Sequence, residues 1–302
     1  MSDLILHHYA MSPFAEKIRA MLGYADLPWL SVAVPEMPPR KMLEPLAGKY
    51  RKIPVMQIGA DVFCDTRAIT SEIARISGKP ELALENCSEE IQAFVRHTDL
   101  KVFLACVLSA PGGTLLRKLW KGSSLFNVAR FLRDRISMGR SASVKAAGPK
   151  RAKVIVREQL EDMERRLAGQ PFLFGENPCI ADFSAYHGLW FIRDLGESRF
   201  IDRYPQVSEW MNRMRAFGHG KVTVISADQA LDAALAVQPR ELTGAASGTQ
   251  VSIAPDDYGQ VAVQGELLAE TAHGWVIGRE NARVGRVHVH FPKQGFVLTP
   301  LR

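Results

Sequence analysis

Three short stretches near the N-terminus carry residue types that could together hold one small anionic peptide. They are Tyr9-Ala10-Met11-Ser12-Pro13-Phe14-Ala15-Glu16-Lys17, Lys52-Ile53-Pro54-Val55 and Asp65-Thr66-Arg67-Ala68-Ile69. Ser12 followed by Pro13 reads as a helix start, with the hydroxyl as N-cap and proline at the first helical position. The free amides and partial positive charge of such an end also stabilise a thiolate. A thiol of ordinary pKa, about 8.5, needs about 1.4 kcal/mol for each unit by which it is lowered. One hydroxyl hydrogen bond and the helix end together supply roughly one to two units. Tyr9, at the end of the preceding strand, is a rival donor to the same thiolate, or an aromatic that closes the sheet. Ile53-Pro54 is an X-Pro step entering a strand, and a cis bond there would turn the Ile53 backbone toward an extended peptide. Asp65-Thr66 puts a carboxylate and a hydroxyl at a second helix start, which caps that helix and also offers a seat for a carboxylate ligand. Lys52 and Arg51 adjoin Ile53 and could meet a second carboxylate or simply face solvent.

The elements that must position these groups follow from hydrophobic periodicity. Residues 4–8 form an apolar run of strand length, and 13–25 show a helical stripe through Phe14, Ile18, Met21 and Leu22. Residues 29–34 read as a strand, 38–49 as a short irregular helix, and 55–58 with 62–64 as a hairpin across Gly59-Ala60-Asp61. A helix over 66–76 carries Ile69, Ile73 and Ile76 on one stripe and stops at Gly78 and Pro80. The order β-α-β-α-β-β-α implies helices covering one sheet. From 88 to 236 the pattern is helical. One long helix runs from Ile91 through the apolar run 102–108 to Pro111-Gly112-Gly113. Further helices are expected over 125–136, 152–167, 180–191, 204–217 and 227–236, the one over 180–191 apolar and central. After Pro239 the texture changes to short strands, 250–254, 261–264, 267–270, 274–279 and 286–291, which predicts a small barrel or meander.

The chain has 302 residues, 47% hydrophobic and 23% charged, which fits a globular protein of two or three domains. No run approaches the ~20 apolar residues that span a bilayer, and the start Met-Ser-Asp-Leu shows no signal peptide, so no membrane role is expected. Cys64, Cys87, Cys106 and Cys179 are widely spaced and form no CxxC pair, as expected of a reducing cytoplasm. The net charge of +6 is uneven: residues 117–157 hold twelve Lys or Arg against Asp134 alone. That stretch could meet nucleic acid or an anionic surface, but no interleaved aromatics support base stacking, and a solvated helix face with a basic loop is the expected form. His288 and His290 share a strand face and, with His273, invite a metal reading. No cysteine or carboxylate stands at ligand spacing, so no metal is expected. Cys64, beside Asp65, reads as a small buried hydrophobe.

In their order and spacing the three stretches resemble the glutathione-binding half of the glutathione S-transferase superfamily, and the resemblance covers residues 3 to about 220. It implies a thioredoxin-like α/β domain over 1–80 and an all-helical domain over 81–238. Residues 239–302 would be a small all-β, barrel-like extension outside the common plan. By the same resemblance Ser12 falls at the catalytic Ser or Cys position, Pro54 at the cis-proline, and Asp65-Thr66 at the pair that takes the γ-glutamyl end. Lys52 and Ile53 complete the expected seat for glutathione as co-substrate. Phe172-Leu173-Phe174-Gly175-Glu176-Asn177-Pro178-Cys179-Ile180-Ala181-Asp182 resembles the loop and capping box that open the family's buried helix. Cys179 replaces the usual hydroxyl there. Ser12 and Ala15 stand where the thioredoxin fold keeps its two cysteines, which removes dithiol chemistry. The run from Ser12 is most similar to the branch that uses cysteine at that place, so its serine favours thiolate stabilisation over a mixed disulfide. The expected activity is a glutathione transferase acting on a small apolar electrophile near Phe103, Val107 and the basic segment. A homodimer is implied, although the extension could block the usual interface. The alternative is a non-catalytic glutathione-binding or interaction protein on the same scaffold.

Overall fold

The computed structural model describes residues 2–110, 113–114, 148–242, 248–257 and 259–301. The first unit runs β1 (Leu4–His8), α1 (Pro13–Tyr24), β2 (Trp29–Ala33), α2 (Glu44–Ala47), β3 (Val55–Ile58), β4 (Asp61–Cys64) and α3 (Thr66–Ser77). β1 pairs parallel with β2 and antiparallel with β3, and β3 pairs antiparallel with β4. Alternation along β1 sends Leu4 and Leu6 into one core with α1 and α3, while Ile5 turns to the other face against Val32 and Ala230. The strand is buried along nearly its whole length because both faces of the sheet are covered.

The helical unit contains α4 (Glu89–His97), α5 (Phe103–Ser109), α6 (Pro149–Arg166), α7 (Ile180–Trp190) and α8 (Pro205–Ala216). The single helix expected through Ile91 and 102–108 is interrupted by a π-helical turn, Thr98–Val102. Such turns add a residue to the helix and re-aim the side chains around it, here including Asp99. α7 is buried from Ile180 to Leu189. Its capping box is present: Asp182 Oδ2 accepts from the Cys179 N–H at 3.0 Å, and the Cys179 sulfur faces the amide of Asp182. The other Asp182 oxygen accepts from Leu173 N and from Trp210 Nε1, both at 2.9 Å. One carboxylate thus ties the loop, the helix start and α8 together. The helix expected over 125–136 lies outside the described residues.

The chain then returns to the sheet. A short strand β5 (Val222–Val224) pairs parallel with β2, and α9 (Ala227–Leu235) covers the face opposite α1 and α3. The extension is all-β, as expected: β6 (Gln250–Pro255), β7 (Val263–Glu270), β8 (Gly274–Asn281), β9 (Gly285–Pro292) and β10 (Phe296–Pro300). It is an antiparallel meander that continues the first sheet, because β9 pairs parallel with β4 through Asp61↔His288, Val62↔Val289 and Phe63↔His290. The result is a ten-stranded sheet ordered β10-β6-β7-β8-β9-β4-β3-β1-β2-β5. The two strands expected at 261–264 and 267–270 are one strand, β7. A register shift between Leu267 and Ala269 breaks its alternation, as a bulge does. No described helix is long and apolar enough to cross a membrane.

Candidate active site

Ser12 is the N-cap of α1. Its Oγ accepts from Ala15 N at 3.2 Å, its carbonyl accepts from Glu16 N, and it is 2% exposed. Tyr9 is half-buried, packs against the apolar cluster that contains Ile53, and accepts from Ser12 N through its carbonyl. The Ile53–Pro54 bond is cis. Ile53 is buried, and neither its N–H nor its C=O has a hydrogen-bond partner among the described residues. Asp65 caps α3 by accepting from Arg67 N at 3.0 Å, and it does so at φ 79°, in the left-handed half of backbone space. For a residue with a β-carbon that conformation costs about 1–3 kcal/mol, and it persists only where the surroundings impose it. Thr66, first in α3, is buried.

Around these sit charges that sequence reasoning did not pick out. Lys17, on α1, is buried and reaches across the domain boundary to Asp99 Oδ2 at 2.9 Å and Ser184 Oγ at 2.8 Å. Burial pushes the Asp99 carboxyl up, but Lys17, His187 and Arg67 outweigh it and hold the group below the ordinary carboxylate range. The other oxygen of Asp99 and Nε2 of His187 are buried without partners. Burial pushes the His187 imidazole down to about 4. Burial also disfavours the Arg67 cation, yet Asp65, Asp99 and Asp257 win and raise it above the ordinary arginine value. Phe14, Phe103 and His187 form an aromatic wall beside α1, with ring centroids 4.7 to 5.2 Å apart.

The extension touches the same region. Lys52 Nζ pairs with Asp257 Oδ1 at 2.6 Å and lies over the Phe296 ring at 5.6 Å. Arg67 Nη1 donates to the Gln294 carbonyl at 3.3 Å. Asp257 falls between two expected strands and reads from sequence as a turn residue. Asp99 offered one signal, an acid just ahead of the apolar run 102–108. Next to the Arg67–Gln294 contact a cavity of about 540 Å³ opens between α3 and the extension, lined by Arg67, Glu72, Arg240, His273, Trp275 and Lys293.

Of the histidines considered for metal, His290 is bonded to Asp61 Oδ1 at 2.7 Å and stacked on Phe63. No group of three potential ligands occurs among the described residues. Cys64 is buried and free, its thiol pushed up by burial. Most of the basic stretch 117–157 lies outside the described residues. Its last part, with Lys150, Arg151, Lys153 and Arg157, lies exposed on α6.

Residues 6–81 match the glutathione S-transferase N-terminal domain model, and 143–213 match the C-terminal domain model. A solved GST-like protein from Pseudomonas syringae is 32% identical, covers 100% of each chain and has a TM-score of 0.79. FzlA from C. crescentus is 21% identical with a TM-score of 0.49, over 71% of this chain and 88% of that one. A glutathione transferase family member from Pseudomonas fluorescens Pf-5, solved with two glutathione bound, is 16% identical with a TM-score of 0.49, over 71% and 89%. No curated protein matches significantly.

Proposed function

The chain belongs to the glutathione S-transferase superfamily, and from that premise we propose that it is a glutathione-dependent transferase with its thiol site at Ser12. What supports this reading is the local geometry at the three positions that the family resemblance assigns to one seat. The α1 start is capped by Ser12, Ile53 has an unspent backbone beside cis-Pro54, and Asp65 is held at positive φ ahead of Thr66. The donor set fits a peptide with two carboxylates: helix amides at Thr66 for one, and Lys52 for the other. Binding would run from the γ-glutamyl carboxylate at Thr66, across Ile53, to sulfur at Ser12.

The bound thiol supplies the nucleophile, and the chain's part is to hold it as thiolate. Ser12 Oγ spends a lone pair on Ala15 N, which leaves its O–H to donate. Capping and thiolate stabilisation therefore use different parts of the same hydroxyl. Tyr9 is the rival donor in the same reading, and the Phe14–Phe103 wall and exposed Val107 offer apolar surface for the electrophile. A reducing cytoplasm and a homodimer go with this reading.

Ser12→Ala should lower turnover with a halogenated aromatic electrophile by about tenfold or more, the worth of one hydrogen bond to a charged group, and spare glutathione binding. Loss of the cap should also cost about 1 kcal/mol of stability, which thermal melting reads separately. No heat-stability gain in millimolar glutathione would overturn the reading. Stabilisation without conjugation, reductase or peroxidase turnover would select a non-catalytic glutathione binder.

A further inference from the structure

Arg19 lies outside the seat described above, yet its guanidinium reaches the turn that leads into Ser12. Ser12, Glu16 and Arg19 stand at i, i+4 and i+7 on one face of α1, whose side chains lean toward the helix start. Arg19 is 5% exposed, and each of its five N–H donors has an acceptor. Nε and Nη2 donate to Glu16 Oε2 at 3.0 and 2.7 Å, and Nη2 also donates to the Ala10 carbonyl at 3.0 Å. Nη1 donates to the Tyr9 carbonyl at 3.4 Å and to His8 Nδ1 at 3.0 Å. Arginine cannot accept, so His8 is neutral with its proton on Nε2, beside Ser31 Oγ at 2.9 Å. Burial and the Arg19 charge together push that imidazole down to about 4. Glu16 is anchored in turn from the segment after α8. His219 Nε2 shares its N–H between the two Glu16 oxygens, both at 3.1 Å, and the His219 carbonyl accepts from Trp29 Nε1 at 2.8 Å. The turn itself has little packing on this side: Ala10 is exposed and borders a cavity of about 500 Å³ lined also by Tyr186, Trp190 and Met214.

We propose that Arg19 is a positioning residue for the thiol site: its guanidinium fixes the Tyr9–Ser12 turn on α1 and so sets where the Ser12 hydroxyl points. The inference rests on the glutathione-seat reading above and deepens it. The Tyr9 carbonyl is the link, because it accepts both from Arg19 and from Ser12 N, the latter at 3.1 Å. The bond to Ser12 N closes the turn and delivers Ser12 to the N-cap, where Oγ meets Ala15 N. With one lone pair committed there, the remaining O–H is aimed only as well as the turn is held. A planar fork spans a carboxylate, two carbonyls and a ring nitrogen at once. An ammonium keeps the charge but offers its donors from a single point. Misplacing a reacting or stabilising group by about 1 Å costs on the order of a hundredfold in rate.

The test reads the pKa of the glutathione thiol in the binary complex, from thiolate absorbance against pH on the full chain. Calorimetry gives the glutathione Kd, and melting curves verify folding. Ser12→Ala should raise that pKa by about one to two units and leave Kd unchanged. Arg19→Lys, which keeps the charge, should raise it by about one unit, lower turnover with a halogenated aromatic electrophile about tenfold, and hold Kd within about twofold. Added to Ser12→Ala, Arg19→Lys should move the pKa no further, because Arg19 acts through the serine hydroxyl. Should Arg19→Lys fail to fold, Glu16→Gln/Arg19→Gln removes the pair without leaving a lone buried charge, and the same rise is expected. A thiol pKa that keeps its wild-type value in the folded Arg19 variant, or that rises as much when Ser12 is already alanine, overturns the positioning role while the seat stands. If Ser12→Ala leaves the thiol pKa unmoved, or wild type binds no glutathione, the reading of Ser12 as the thiol site falls and takes the inference with it.

Discussion

The sheet's first unit meets the rest of the chain at two junctions, and they are built oppositely. Toward the helices, α1 presents aromatics and one buried ion pair, Lys17–Asp99, with Asp99 Oδ1 and His187 Nε2 left without partners. Toward the extension, a backbone ladder joins β4 to β9 and its carboxylates are paired, while His288 Nδ1 on β9 is buried without a partner. Asp61 binds His290 and Arg240, and Arg240 also binds Glu72. Burial alone would raise the Asp61 and Glu72 carboxyls, but His290 beside the first and Arg75 and Arg240 beside the second hold both below the ordinary range. A backbone ladder reinforced by paired carboxylates is a permanent structural joint. A junction with unspent buried polar atoms beside the seat keeps capacity for a ligand.

The comparison breaks most readily at Lys17. Lys17→Met leaves Asp99 buried and uncompensated and should cost about 3–5 kcal/mol by denaturant unfolding. Lys17→Met/Asp99→Leu should recover most of that, because an apolar pair of similar volume replaces a buried ion pair at little cost. Asp61→Ala strips His290 and the Arg240 amide and guanidinium of one acceptor and should cost about 2–3 kcal/mol, with the extension loosening first in hydrogen exchange.

A third effect is acid loss of stability, and it separates the two faces. His187 in the helical junction and His7 on β1, bonded to Gln57, are both fully buried, and burial lowers each to about 4. The unfolded chain binds their protons near the ordinary value of about 6.5, so their contribution is present above that pH and is lost as pH falls toward 4. The slope is about 1.4 kcal/mol per pH unit for each. His187→Phe should remove its share of the slope and leave that of His7, read from midpoints in a pH series. The smallest effect belongs to the exposed pairs of Arg283 with Asp228 and Asp232, where Arg283→Ala should leave the melting temperature unchanged.

Much of the first unit was legible because its signals are local. Pro13 after a hydroxyl, Pro54 before an apolar run and Gly78 after the Ile stripe each mark a boundary by chain geometry alone, and the strands and helices fall there. The extension was legible as strands, but not as part of the same sheet, since pairing of β4 with β9 depends on a contact across more than two hundred residues. β5 and β10 went unread for a different reason. β5 is three exposed residues with no alternation, and β10 ends in a proline at the sheet's edge. In the proposed seat, Ser12, Ile53 and Thr66 announce themselves by turn chemistry. Asp99 and Asp257 do not, because what matters is which cation lies opposite, and only the folded chain sets Lys17 and Lys52 there.

The most direct test of the account is a crystal of this protein soaked in glutathione. The account predicts the γ-glutamyl carboxylate at the Thr66 end of α3, the peptide backbone along Ile53, and sulfur within hydrogen-bonding reach of Ser12 Oγ. Glutathione lodged instead in the cavity between α3 and the extension, or absent at saturating concentration, would contradict it.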